Sequence, residues 1–403
     1  MRESLASLAK IHYGKSPNDV AVADGEIPIV GTGGIYGKAS RALFDEGIVV
    51  ARKGSLGKPH LFLTPFWPVD TTYAVVPSHD TDIAWLYYCL LDFDLTKLNE
   101  ATGVPSINRN WLAKIGFENP GREKQRKIAT ILSTIDTAIE QSEALIEKYQ
   151  HIKAGLMHDL FTRGVLPNGQ LRPSREEAPE LYQEAAIGWI PREWRLRPLG
   201  EMASIVSGVT LGAKIGLTET IDAPYLRVAN VQDGYLDLSE IKTVRISSKT
   251  LEQLRLEPGD VLMNEGGDFD KLGRGAVWQG EIENCVHQNH VFRVRCNAGT
   301  LLPTYLAFFS ESTFGKKYFV MSSKQSTNLA SINSTQLKAY PVALPPLVEQ
   351  AAITLHVQRA KHRQDALKAQ ATKLQTQKLG LMQDLLTGKV PVTVGSSDSA
   401  AHA

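Results

Sequence analysis

The sequence predicts an α+β protein built from two β-rich parts with small helices, each followed by one long coiled-coil helix. Three observations predict it. The chain repeats itself: shifted by 225 positions, residues 103–165 lie on 328–390 without a gap. The repeated segments carry a heptad-like apolar seam. The stretches before them hold short β-type runs bounded by glycine, proline and aspartate.

The repeat sets the domain plan. "SIN" at 106–108 meets "SIN" at 331–333, Leu112 meets Leu337, Pro120 meets Pro345, Gln125 meets Gln350 and Ile128 meets Ile353. Lys148, Gln150 and Lys153 meet Lys373, Gln375 and Lys378, and "GLMHDLFTRGV" (155–165) meets "GLMQDLLTGKV" (380–390). Upstream, "LASLAKIHYG" (5–14) resembles "LGEMASIVSG" (199–208) at an offset of 194. The second copy therefore holds about thirty extra residues between these anchors. The expected plan is a globular domain over 1–120, a helix over 121–165, a polar linker over 166–198, a second domain over 199–345, a second helix over 346–390 and a flexible tail over 391–403.

In the first repeated segment Ile128, Leu132, Ile135, Ile139, Ser142, Ile146, Tyr149, Lys153, Leu156 and Leu160 alternate spacings of four and three. Ile353, Val357, Ala360, Gln364, Leu367, Ala371, Leu374, Lys378, Leu381 and Leu385 follow in the same phase. One such stripe fits an ordinary bundle helix; two in phase favour pairing with each other. Proline precedes each start, and Gly164 and Gly388 stand as stops. Each helix of roughly 38 residues spans about 57 Å. Lys153 and Lys378 interrupt both seams, either fixing register, meeting a partner or reaching out to water.

In the globular parts "GIVVARKGS" (47–55), "TTYAVVP" (71–77), "APYLRVANV" (223–231), "GDVLMNE" (259–265), "GAVW" (275–278) and "VFRVRC" (291–296) read as strands. "DIAWLYYCLLD" (82–92) and "PTYLAFFSES" (303–312) read as apolar helices.

The composition, 43% hydrophobic and 22% charged over 403 residues, is that of a folded protein with room for two cores. No apolar run reaches about eighteen residues, so no membrane span is expected. The start "MRESLASLAK" lacks the apolar core of a secretory signal. Cys89, Cys285 and Cys296 show no CxxC spacing, which suits free thiols in a reducing cytoplasm and no zinc site. A net charge of +1 gives nucleic-acid binding no support from bulk composition, although a local basic stripe can hide in a neutral total.

Catalytic signals fail one by one. "YGKSP" (13–17) is half a P-loop, with Ala9 where the first glycine belongs. "GTGGIYG" (31–37) has Tyr36 in place of the third glycine of a dinucleotide fingerprint and reads as a turn. "DFDK" (268–271) resembles part of a metal-nuclease set, but a charged loop explains it as well. The histidines form no HExxH, and no Asn-Pro-Pro-aromatic motif is present. No catalytic or metal-binding residue is assigned.

Polar loops remain. Asn, Gln, Ser, Thr, Lys and Arg are the types that contact phosphates and base edges. The candidates are Tyr36, Lys38, Arg52, Lys53, Lys58, Asn108 and Arg109 in the first part, and Asn264, Lys271, Arg274, Gln288, Asn289, Lys324, Gln325, Asn328 and Asn333 in the second. A merely solvated loop is the competing reading for each.

Together, "IPIVGTGGIYG", "GIVVARKGSLG", the "SIN" element, "REKQRKIATILSTID", "IGWIPREW", "PPLVEQ" and the two "GLM" closures resemble the DNA-specificity (S) subunit of type I restriction–modification systems. The resemblance covers essentially the whole chain. It implies two target-recognition domains, each reading one half of a split site on double-stranded DNA. It implies two long helices, antiparallel in a pseudo-two-fold arrangement, that hold the domains apart. It also implies docking of two DNA adenine methyltransferase (modification) subunits that carry S-adenosylmethionine, joined by restriction–translocase subunits that use ATP and Mg. The chain itself then binds no cofactor and is no enzyme, and its place is the cytoplasm. One departure stands out: the second copy opens with "GWIPREWRLRPLG", whereas the first begins almost at "ESLASLA" without the tryptophan pair. Either the N-terminus is short or the C-terminal tail supplies that role. The alternative from another class is a non-catalytic adaptor, two β-rich modules on a coiled-coil spacer that engage protein or glycan.

Overall fold

A computed structural model describes residues 1–212, 220–267, 272–325 and 330–394. The chain divides into two units. One comprises 1–145 with 367–403, the other 146–366. Each long helix, Arg122–Thr162 and Leu347–Leu386, contributes one half to each unit.

The first unit holds a four-stranded antiparallel sheet in the order Ala9–Tyr13, Thr72–Pro77, Gly47–Ala51, His60–Phe62. Beside it is a three-stranded sheet in which Ile27–Gly31 pairs antiparallel with Gly34–Ala39 and parallel with Trp67–Pro68. The second unit repeats this plan. Ala203–Ser207, Val291–Cys296, Val261–Asn264 and Gly275–Val277 form the four-stranded sheet. Thr220–Leu226 pairs antiparallel with Lys242–Ser247 and parallel with Val286–His287.

The register is conserved between the copies. Ile11 faces Val75 and Val75 faces Ile48; Ile205 faces Val294 and Val294 faces Val261. The closing strand pair also matches: Arg2–Ser4 runs against Gly116–Glu118, and Leu196–Pro198 runs against Pro341–Ala343 in the same register. Because a one-residue slip would turn every core side chain outward, shared register means a shared core face. Gly14 and Gly208 belong to this frame. A Cβ on Gly14 would overlap the carbonyls of Pro68 and Val69, and one on Gly208 those of His287 and Gln288. Only glycine admits that approach.

The apolar helix Ile83–Asp92 packs in the first core with Leu5, Ile48, Val75, Ile128, Leu132 and Leu385. Pro303–Glu311 does the same in the second core with Phe161, Val261, Phe292, Tyr340 and Ile353. The matched glutamines tie these helices to the long ones. Gln125 Oε1 accepts from the N–H of Asp82, the first cap of Ile83–Asp92, at 2.7 Å. Gln350 Oε1 accepts from Leu302, the cap of Pro303–Glu311, at 2.9 Å. Both glutamines are fully buried, so each offers a fixed acceptor to a helix-end donor.

The long helices measure 41 and 40 residues, and Gly164 and Gly388 end them with positive φ. Every seam residue is buried or half-buried. In the first unit Gln375 meets Glu143 at 3.2 Å and Lys378 meets Asp136 at 2.6 Å; in the second, Arg363 lies over Tyr149. In the first unit partner numbers fall on one helix as they rise on the other, which is antiparallel pairing, and in the second Lys361 lies near Lys153 as Arg363 lies over Tyr149, the same sense. The two seam lysines are ion-paired rather than extended to water. Lys378 holds Asp136, and Lys153 holds Glu311 at 2.6 Å.

The linker reading of 166–198 is revised. Tyr182–Ala185 and Gly188–Pro191 form a hairpin, and Arg195–Pro198 joins the strand Pro341–Leu344. Ile190 and Trp194 enter the second core. Arg172 and Glu349, both buried, form an ion pair. Glu349 also accepts from the N–H of Val165 at 2.9 Å and from Trp194 Nε1 at 3.2 Å. The polar composition that suggested a linker is spent on this network and on turns. In the tail, Val392 packs on the first core; residues 395–403 lie outside the described ones.

Candidate nucleic-acid interface

The segments that follow each middle sheet strand are pinned to the "SIN" elements by the same bonds. In the first unit Ile107 N–H donates to the Arg52 carbonyl at 2.9 Å, Arg52 N–H donates to Thr71 at 2.9 Å, and Lys53 faces Ser106. In the second, Ile332 N–H donates to Glu265 at 2.8 Å, Glu265 N–H donates to His290 at 3.0 Å, and Gly266 faces Ser331. Arg52 and Glu265 thus occupy one station in one frame, with opposite charge.

Around Arg52 the first unit builds a basic, aromatic depression of about 240 Å³ lined by Tyr13, Arg52, Lys53, Asn108 and Arg109, with one acid, Glu100. Tyr13 is 48% exposed. The guanidinium carbons of Arg52 and Arg109 lie 5.1 and 5.7 Å from its ring centre, within cation–π range. Arg52 Nη1 donates to the Asp70 carbonyl at 3.0 Å, which, with the Tyr73 hydroxyl beside the guanidinium, aims the side chain. Below, Tyr73 supports the ring and donates to the Ile107 carbonyl at 3.0 Å; burial raises its phenol pKa, so it stays a donor. Fixed donors beside an exposed ring can hold phosphates or base edges.

The stations in the second unit that match Tyr13, Lys53 and Arg109 hold Ser207, Gly266 and Ser334, set by the strand register and the repeat. Glu265 Oε2 there meets His290 Nδ1 at 2.6 Å. Nearby, burial lowers the pKa of His287 to about 4, and its Nδ1 meets the Val291 carbonyl at 2.6 Å, so the ring is neutral at pH 7.

The other candidates divide. Tyr36 and Lys38 are exposed on Gly34–Ala39, and Lys58 is exposed on a loop; none lines the depression. Asn108 and Asn333 are N-caps: their Oδ1 atoms accept from Asn110 at 2.8 Å and from Gln336 at 2.9 Å. The repeated asparagine of "SIN" therefore has a structural use in both copies. Asn264 is a correction. It is fully buried at the sheet position matching Ala51, and its amide donates to the carbonyls of Val231 at 3.1 Å and Val228 at 3.4 Å. No base can reach it. Arg274 is mostly buried and donates to Gln232 at 2.8 Å. Gln288 and Asn289 are half-buried, and their N–H groups donate to Leu226 and Val209. Lys324 and Gln325 lie on a short strand. Lys271, Asn328 and the "DFDK" run lie outside the described residues.

Sequence reasoning missed Tyr13, Glu265 and His290. Tyr13 had a signal: it precedes the glycine shared by "KIHYG" and "SIVSG". Glu265 and His290 had none, because their meeting depends on strand pairing. Among the described residues, no group of three or more His, Cys, Asp or Glu could hold a metal ion, and no helix is long and apolar enough to cross a membrane. All three cysteines are free.

Two β-rich domains of one topology, each closed by a long helix and each presenting a pinned polar loop cluster, define a duplicated recognition scaffold. The family described as "Type I restriction modification DNA specificity domain" matches residues 3–148 and 191–373, and the chain belongs to it. The type I restriction enzyme StySPI specificity subunit of Salmonella potsdam is 24% identical over 296 residues, 72% of this chain and 60% of that protein. The MjaVIII specificity subunit of Methanocaldococcus jannaschii is 24% identical over 318 residues, 77% and 71% of the two chains. A further relative from that organism is 27% identical over 210 residues, and the match spans only 49% of its length. The fold is shared with the crystal structure of the type I restriction–modification S subunit from M. genitalium, with a TM-score of 0.60, 16% identity and coverage of 98% and 96%.

Proposed function

We propose that this chain is the DNA-binding specificity subunit of a type I restriction–modification complex, each unit reading one half of a bipartite site. One observation carries the reading. The two units share strand register and loop-pinning bonds yet hold different side chains at the reading station, as two readers of different sequences would. The antiparallel helices set the spacing between half-sites and dock two adenine-methylating modification subunits; restriction–translocase subunits join that core. S-adenosylmethionine, ATP and Mg belong to those partners. This chain binds no cofactor and supplies recognition, not catalysis, in the cytoplasm.

The rival is an adaptor for protein or glycan, and duplex binding titrated with salt separates the two. Each neutralised phosphate contributes about −0.9 to the slope of log affinity against log salt. A specificity subunit should therefore lose roughly a thousandfold or more in affinity between low and physiological salt if six or more phosphates are held. An adaptor shows no duplex binding to lose. Metal-dependent cleavage of DNA by the purified chain would instead revive a nuclease built on "DFDK".

A further inference from the structure

We infer that Arg52 and Glu265 are paired specificity-determining residues facing base edges, with Arg52 selecting guanine and Glu265 selecting cytosine or adenine through the amine on the major-groove edge. The inference rests on the DNA reading above and deepens it. A carboxylate facing a phosphate would be repelled at close range, so a station that tolerates Glu265 faces bases rather than backbone. The station is the same in both units, because Ile107 and Ile332 bond its carbonyl and Thr71 and His290 receive its N–H. Arg52 therefore faces bases as well.

Chemistry then fixes the choice at each station. A carboxylate only accepts, and the donors on the major-groove edges are cytosine N4 and adenine N6. A guanidinium only donates, and its best partner is the O6/N7 pair of guanine. Each side chain is held for the task. His290 meets Glu265 at 2.6 Å, and the Asp70 carbonyl and Tyr13 ring hold Arg52. Lys53 and Arg109, with no basic counterparts at Gly266 and Ser334, are left to grip the phosphates flanking the first half-site.

The test selects bound duplexes from a random library, using the full chain in the complex it forms in its own cells. Wild type should enrich two blocks. Arg52→Gln should lose, on the order of tenfold, the preference for guanine at one position of one block. Glu265→Gln should relax one position of the other block, and Glu265→Arg should turn that position toward guanine. Arg52→Gln and both Glu265 variants should keep the wild-type thermal midpoint, since each side chain is partly exposed. If the wild type enriches two blocks and the folded variants select them unchanged, Arg52 and Glu265 are not base readers. If the wild type enriches no two-block site, the DNA reading itself fails.

Discussion

Replacing Glu349 with alanine is expected to destabilise the second unit by about 3–5 kcal/mol, because it strands a buried guanidinium. Arg172 is 5% exposed, and Glu349 meets both its terminal nitrogens. Glu193 also holds Arg172, at 2.8 Å, but it is largely exposed and cannot replace a buried partner. The same substitution removes the acceptor of Val165 N–H and Trp194 Nε1, loosening the end of the Arg122–Thr162 helix from the turn that precedes Arg195–Pro198. Changing Arg172 and Glu349 together to methionine should recover much of the loss, since no buried charge is then left unpaired. Calorimetry and denaturant unfolding check both. A loss below about 1 kcal/mol for the single change would mean that the pair is solvated rather than buried. The first unit offers an internal comparison: Lys124, at the position matching Glu349, is exposed, and a Cβ on Gly388 would meet nothing, whereas one on Gly164 would strike Glu349 and Trp194.

Removing one heptad from both long helices is expected to change the spacer of the DNA site and leave both half-sites intact. Seven residues correspond to about 10 Å of helix, or about three base pairs at 3.4 Å each. The deletion must be matched, because the helices pair antiparallel within each unit through Asp136–Lys378, Glu143–Gln375 and Tyr149–Arg363. A cut in one helix alone would slide Lys378 off Asp136 and misphase the seam. Sequencing of methylated sites, or of duplexes bound by the complex, reads the result. An altered half-site with the old spacer would refute the helices as ruler.

Much of the architecture was legible because the repeat writes it twice. The seam from Ile128 to Leu160 and from Ile353 to Leu385 has a clear period, and Gly164 and Gly388 mark its ends. "VFRVRC" reads as a strand and is one over its whole length, Val291–Cys296. The strands Ala9–Tyr13 and Ala203–Ser207 were not read, since each is only five residues long, "ASIVS" breaks the alternation that "AKIHY" keeps, and both owe their state to pairing with distant strands. Residues 182–198 looked like a linker because their partners are distant: Trp194 bonds Glu349, more than 150 positions away, and Arg195–Pro198 pairs with Pro341–Leu344. The site was legible only in part. Arg52, Lys53 and Arg109 were named from composition and do converge, but Asn264 was misread because local sequence cannot tell which end of a strand is buried. The opposition of Arg52 and Glu265 required the register of two sheets.

Each unit is expected to read its own half of one site. Exchanging residues 1–120 for the corresponding domain of a relative with a different site, followed by sequencing of the bound or methylated DNA, tests it most directly. The predicted result is one new half-site, the other half unchanged and the spacer preserved. A change in both halves, or in neither, would contradict it.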